Sequence, residues 1–382
     1  MSELHAARRE RLRERCSAAG LDAAVVTRPA NIRWLTGRSP DTAEGAALLL
    51  TRELALLAAT PTAREAPNWP GSGGAQGSAE APADPDGLRE VEVPLGADPA
   101  VVAAERAAAS GVGVLGVEEH ALTVSRHREA GRFLSPGRLA DLDRAVERLR
   151  VVKDDEELAC QRIAAEIADQ ALGELLESIL VGRTERHLAM ELERRMVDHG
   201  ADTPAFPVRV GTGDHSGVAG HLPGDRRVEE GDFLTVSLGA CYRGYRTAAT
   251  RTFVIGGPPE DWQKELHALV FSAQRAARES LVPGRPCQDV DLAGRQVLRD
   301  AGRDGGVLRP AGYGVGLEIA EDPRLGPGDM SRLVACVPVT VGQGVHLPGR
   351  GGVRIEDTLV VRPDEEGGPE LLTITTKELL AL

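Results

Sequence analysis

Apolar and polar positions fall into blocks that divide the chain into two differently patterned halves. Residues 4–19 carry an amphipathic helical pattern that stops at Gly20. LDAAVVT (21–27) is a short apolar run bounded by turn residues, the signature of a buried strand. ALLLT (47–51) and LALLAAT (54–60) predict a strand pair joined by the polar turn Arg52-Glu53, and GVGVLGVE (111–118) predicts a further strand. Residues 61–87 are Pro, Gly, Ser and Ala with little periodicity, which predicts a long, mobile surface loop. Helices alternating with strands in this way predict a small open α/β sheet.

A charged helical stretch over 139–153 is expected to carry the chain into its second half. Two strong helical patterns follow, 154–180 and 184–199. Thr184 is a good N-cap for the second, with His187 rather than Glu or Gln at the third position, so the capping box is incomplete. VRVGTG (208–213), FLTVSLGA (233–240), RTFVIG (251–256) and LLTITT (371–376) read as strands, and 260–281 and 286–301 as helices. This irregular mixture predicts an α+β domain with a curved antiparallel sheet. A length of 382 residues is too great for one compact core and suits two. Aromatic residues make up only 3 %, so Ala, Leu and Val must fill those cores.

Charge and cysteine usage narrow the partners. A net charge of −13 argues against nucleic acid or anionic lipid. Cys16, Cys160, Cys241, Cys287 and Cys336 are scattered and include no CxxC pair, a pattern of reduced thiols. The N-terminus is charged and lacks the apolar core of a signal peptide, and no apolar run approaches bilayer-spanning length. A soluble, cytoplasmic protein is expected, with no membrane and no nucleic-acid partner.

Six blocks, in order, carry a family resemblance: 11–37, 148–172, 200–233, 237–256, GYGVGLEIAEDP (312–323) and VHLPGRGGVRIEDTLVV (345–361). Together they resemble the creatinase and aminopeptidase P/prolidase-type proteins over nearly the whole chain. The resemblance implies an α/β creatinase-type N-terminal domain (1–140, with 61–87 as its flexible loop) and an α+β pita-bread domain (148–382). It also implies a homodimer.

In that family two Asp, one His and two Glu bridge two divalent ions, which lower the pKa of a water that attacks an amide. The resemblance places those five positions on Ser237, Ala248, Tyr313, Gly342 and Glu356, so that one carboxylate survives. One carboxylate cannot hold two hard cations, which need several oxygens to offset lost hydration. The family's proton-shuttling His falls on Gly220, with His221 next to it, and the His of its L-E-V-H-E stretch falls on Ala320. No metal and no cofactor are therefore expected.

The polar residues that remain carry two readings each. His215 and His221 are either general bases or loop histidines satisfied by backbone. Glu356 completes the expected catalytic set, and Arg354 is suited to grip a substrate carboxylate, unless the two simply pair with each other. Tyr313, His346 and Glu318 are further candidates for substrate contact, although Tyr313 as a plug of the emptied cavity and His346 as a surface residue are the plainer readings. The Gly312, Gly314, Gly316 spacing reads as backbone geometry rather than phosphate binding, and Cys241 and Cys336 as buried small apolar residues. The expected activity is a metal-independent, creatinase-like hydrolysis of a small C–N-containing substrate. Two alternatives stand beside it: an inactive homologue that binds a ligand or protein, as a histone-chaperone subunit of this fold does, and an Xaa-Pro aminopeptidase with an unorthodox site, such as His215, His221 and Glu356 around one ion.

Overall fold

The computed structural model describes residues 2–40, 45–61, 84–94, 96–178, 180–303 and 310–382. The chain forms two compact units, Met1–Arg150 and Val151–Leu382.

The first unit is built on a six-stranded mixed sheet. Strands β1 (Ala23–Val26), β2 (Ala46–Thr51), β3 (Ala55–Ala59), β4 (Leu88–Glu92), β5 (Leu115–Val117) and β6 (Leu139–Asp141) lie in the order β4-β3-β2-β1-β5-β6. The β2–β3 pair is the antiparallel hairpin its two apolar runs predict. Helix α1 (Ser2–Ala18) opens the unit, and α2 (Pro29–Thr36) follows β1. The sequence pattern misses α2 because eight residues give barely two turns of periodicity; only Pro at its start and left-handed Gly37 at its end mark it. Buried Glu118 accepts from the amides of Thr27 and Arg28 and from Asn31 Nδ2, which ties the start of α2 to the end of β5. Helices α3 (Pro99–Ala109), α4 (Val124–Ala130) and α5 (Ala145–Arg150) complete the unit.

Two expectations need correction here. The stretch 139–153 is strand β6 followed by the short α5, because Leu139–Asp141 pairs in parallel with β5. The strand expected over 111–118 shrinks to Leu115–Val117. Most of the expected loop, 62–83, lies outside the described residues; at its described end Asp84 and Asp86 pair with Arg38 and Arg9.

The second unit is α+β with a large, mainly antiparallel sheet. Helices α6 (Asp155–Leu176) and α7 (Glu185–Asp198) come first, α6 with a full capping box between Asp154 and Glu157 and α7 capped by Thr184, whose side chain accepts from His187 N–H. Strands β7 (Thr203–Pro204), β10 (Ala240–Tyr242) and β11 (Tyr245–Arg246) form a small three-stranded sheet. The large sheet has the order β14-β13-β15-β16-β12-β9-β8: β8 (Arg209–Thr212), β9 (Phe233–Leu238), β12 (Ala249–Val254), β13 (Gly312–Gly314), β14 (Glu321–Leu325), β15 (Pro338–Leu347) and β16 (Gly351–Val360). A short β17 (Glu370–Leu371) pairs with β16, so most of the expected strand 371–376 is not one. Helices α8 (Asp261–Glu279) and α9 (Cys287–Asp300) bury apolar faces in cores with Val345, Val353 and Ile355 and with Val339, Val341 and Leu359. Side chains alternate across a strand, so the even-numbered residues of β16 face away from those helices. That free face is the floor of a cleft.

Candidate functional site

Register across the large sheet builds the floor in rows. Arg209 of β8 pairs with Ser237 of β9, Ser237 with Thr250 of β12, Thr250 with Glu356 of β16, and Glu356 with Gly342 of β15. Directly paired residues on one face stand as neighbours, so these five side-chain positions form one continuous line. Ser237 Oγ lies 2.8 Å from Thr250 Oγ1, which donates to Glu356 Oε2 at 3.1 Å. A second row, two residues along, repeats the device: Thr235 Oγ1 lies 3.0 Å from Thr252 Oγ1, and Thr252 donates to the Arg354 carbonyl and accepts from its amide. A third row sets Tyr313 beside Thr340 and Thr340 beside Thr358, whose hydroxyl meets the backbone of Ala248. Ordinary threonine-rich strand chemistry thus lines the floor.

One wall comes from the loop 213–224. Left-handed Gly217 lets this loop turn against the β15–β16 hairpin, where a Cβ would meet Gly352 backbone at 2.6 Å. His346 Nδ1, 3.1 Å from the Ser216 carbonyl, and Ser216 Oγ, which accepts from Gly352 N–H, fix it further. The loop presents His215 and His221, whose rings lie 4.3 Å apart and tilted. Both point to one carboxylate. His215 Nδ1 is 2.9 Å from Glu185 Oε1, and His221 Nε2 is 2.8 Å from Glu185 Oε2. Glu185 is fully buried at the start of α7, and the amides of Thr212 and Gly224 donate one to each of its oxygens. Burial alone pushes its carboxyl up, but the bonds from His221, Gly224, Thr212 and His215 outweigh that and hold it below its ordinary value.

Floor and wall enclose a cleft of about 290 Å³ lined by Arg209, His215, His221, Thr235, Ser237, Tyr313, Arg354 and Glu356, among others. Of the residues singled out in the sequence, His215, His221, Glu356, Arg354 and Tyr313 are therefore brought together. Tyr313, in the third floor row, lines the cleft beside open space rather than plugging it. His346 and Glu318 are not among the lining residues: His346 braces the loop behind His215, and the Glu318 amide bonds to Glu321. Arg354 and Glu356 approach to 3.7 Å, too far for a hydrogen bond, so the internal pair leaves both able to meet a ligand. Cys241 is buried and Cys336 half-buried, and all five cysteines are free thiols.

Two residues were missed in the sequence. Glu185 follows an N-cap and reads as a charge favouring the helix start; only the histidines' need for a buried acceptor could point to it. Arg209 sits in an apolar strand and forms no ion pair among the described residues.

Residues 159–363 match metallopeptidase family M24, and residues 8–152 match the creatinase/prolidase N-terminal domain. The chain belongs to metallopeptidase family M24. Within that family it is 36 % identical over 239 residues to an Xaa-Pro dipeptidase of Pyrococcus furiosus, covering 63 % of this chain and 68 % of that one. The structure of an Xaa-Pro dipeptidase from Bacillus anthracis superposes with a TM-score of 0.86 at 27 % identity, covering 99 % of this chain and 100 % of that one. The N-terminal domain of the FACT complex subunit SPT16 from chickpea matches at a TM-score of 0.79 over 100 % of both chains, but its 16 % identity shows the fold alone. This M24 member thus has the two-domain pita-bread architecture of the prolidases.

A two-ion centre on the floor does not fit the residues present. Ala248 offers no donor atom from its side chain and is buried. A Cβ at Gly342 would lie 2.8 Å from the Glu356 Cβ, so nothing longer than hydrogen fits that position as the strands stand. The one carboxylate already accepts the Thr250 hydroxyl and faces the Arg354 guanidinium. A cation beside a single shared carboxylate leaves two divalent ions without sufficient charge. No helix among the described residues is long and apolar enough to cross a membrane.

Proposed function

We propose that the protein hydrolyses small dipeptides of the Xaa-Pro type, with the reacting groups supplied from the cleft wall by Glu185, His215 and His221 rather than from the sheet floor. The observation that carries this reading is the pair of imidazoles held on one buried carboxylate and opening onto the cleft. A buried carboxylate orients each ring, the arrangement a general acid or base requires. Across the cleft, Arg209 and Arg354 suit the carboxylate of a zwitterionic dipeptide and Glu356 suits its ammonium group.

Similarity to the Pyrococcus and Bacillus Xaa-Pro dipeptidases supports a dipeptide over the creatinase-like, small C–N-containing substrate expected from the sequence. The test is hydrolysis of a panel of Xaa-Pro and non-proline dipeptides and of creatine by purified protein. Cleavage of Xaa-Pro members is expected, with kcat falling ~100-fold or more in His221→Ala. Creatine as the sole substrate, or Xaa-Pro turnover unchanged in His221→Ala, would sink the proposal.

A further inference from the structure

Glu185, His215 and His221 offer three ligand atoms, all within 4.8 Å of one another. We infer that these three residues hold a single divalent ion of the zinc class, at a place on the wall distinct from the five floor positions. The inference deepens the dipeptidase reading, since with an ion bound the three side chains would serve as its ligands and the ion, not the free imidazoles, would supply the reacting group. It rests on that reading only for the ion's use, not for its binding.

Donor chemistry selects the ion. Two imidazole nitrogens and one carboxylate are borderline ligands that suit zinc and its neighbours, whereas magnesium and calcium require mostly oxygen. The carboxylate is oriented before any ion arrives. Each oxygen of Glu185 takes one backbone amide, Thr212 at 2.9 Å on Oε1 and Gly224 at 2.9 Å on Oε2. The second direction on each oxygen is taken by the hydrogen bond to an imidazole nitrogen, the contact that an ion would replace. Outer hydrogen bonds of this kind fix a ligating carboxylate and commonly govern affinity.

Charge points the same way. Glu185 is 0 % exposed and its carboxylate is held by two backbone amides. With neutral imidazoles the trio carries one negative charge, which a divalent ion would more than offset. The two rings line the cleft, so a position on the ion left free by the protein would face the substrate. The His346 contact to the Ser216 carbonyl steadies the loop that carries His215. Glu356, the carboxylate expected from the sequence to join the histidines, belongs to the floor and is not one of the three.

The full chain, stripped with a chelator, is titrated with Zn²⁺ against a chromogenic competitor, and Co²⁺ is added separately to record its visible absorption. About one ion per chain is expected, with a cobalt band characteristic of four-coordinate nitrogen and oxygen ligands. His221→Ala and His215→Ala should each weaken uptake ~10-fold or more, and Glu356→Gln should leave it unchanged. Because the buried Glu185→Gln variant risks misfolding, the half-exposed histidines carry the test. Uptake that survives the double histidine substitution, or that is lost in Glu356→Gln, would overturn the assignment. So would a wild-type chain that takes up no ion, its histidines being then only hydrogen-bonded to Glu185. The readout needs no substrate: a chain that binds the ion yet cleaves no dipeptide refutes the dipeptidase reading alone, and full dipeptide turnover in chelator with no ion bound refutes this one alone.

Discussion

The Glu356 Cβ lies 2.8 Å from where a Cβ at Gly342 would fall, and both belong to paired strands that cannot easily part. Gly342→Ala is therefore expected to destabilise the second unit by ~1–3 kcal/mol, measurable as a shift in the urea unfolding midpoint. His267 gives a pH dependence with a defined sign. Its burial in α8 lowers its pKa, with a hydrogen bond to the Lys377 backbone pulling the other way. The unfolded chain then takes up a proton that the folded chain refuses, so stability is lost as pH falls through ~6.5 toward the folded value. His267→Phe should flatten that slope in part, since His5 is lowered by burial as well. Unfolding free energies compared at about pH 7.5 and about pH 5.5 read it. At this scale the histidines of the cleft were legible because the family resemblance assigns their segment to the pocket. Glu185 was not, since nothing local distinguishes a buried first-turn glutamate from a solvated one.

Strand β16 shows how an element serves two faces. Its Asp357, fully buried beneath the floor, accepts from Arg251, Gln274, Thr373 and Lys377. Arg251 also donates to the Glu356 carbonyl, so this network sets the backbone on which the cleft carboxylate stands. Asp357→Ala should cost ~3–5 kcal/mol by leaving Arg251 buried and unpaired, read by thermal or denaturant unfolding. Helix α7 offers a milder probe: Thr184→Ala removes the cap on His187 N–H and should cost about 1 kcal/mol, with ligand binding weakened because Glu185 is the next residue. Strands β9 and β12 were legible as apolar runs. The longest pair, β15 and β16, was not marked as strand in the sequence, because Gly342, Gly344, Gly351 and Gly352 interrupt the pattern. Those glycines serve close cross-strand packing, a demand that tertiary structure makes and local propensity hides.

For the whole molecule, the alternation of the first half and the mixture of the second foretold two differently built units, and the resemblance of spaced blocks named their architecture. What the resemblance left open was where chemistry had gone once the floor lost its ligands, since that depends on residues from α7 and a loop meeting in space. Every residue lining the cleft lies within Val151–Leu382. The fragment 151–382 is therefore expected to unfold cooperatively and, on the proposed function, to bind an Xaa-Pro dipeptide with the same affinity as the full chain, checked by circular dichroism and calorimetry.

The hydroxyl rows have a directional consequence. Thr250 spends its hydrogen on Glu356 and Thr252 spends its own on the Arg354 carbonyl, so Ser237 and Thr235 must point their hydrogens inward, along the sheet. Thr235 also accepts the Gly217 N–H at 3.1 Å, so of the two it is Ser237 that keeps lone pairs for the cleft. That spot welcomes an N–H group, while the guanidinium groups of Arg209 and Arg354 on the same floor welcome anionic oxygen, so on the proposed function a dipeptide would set an N–H over Ser237 and its carboxylate to one side of it.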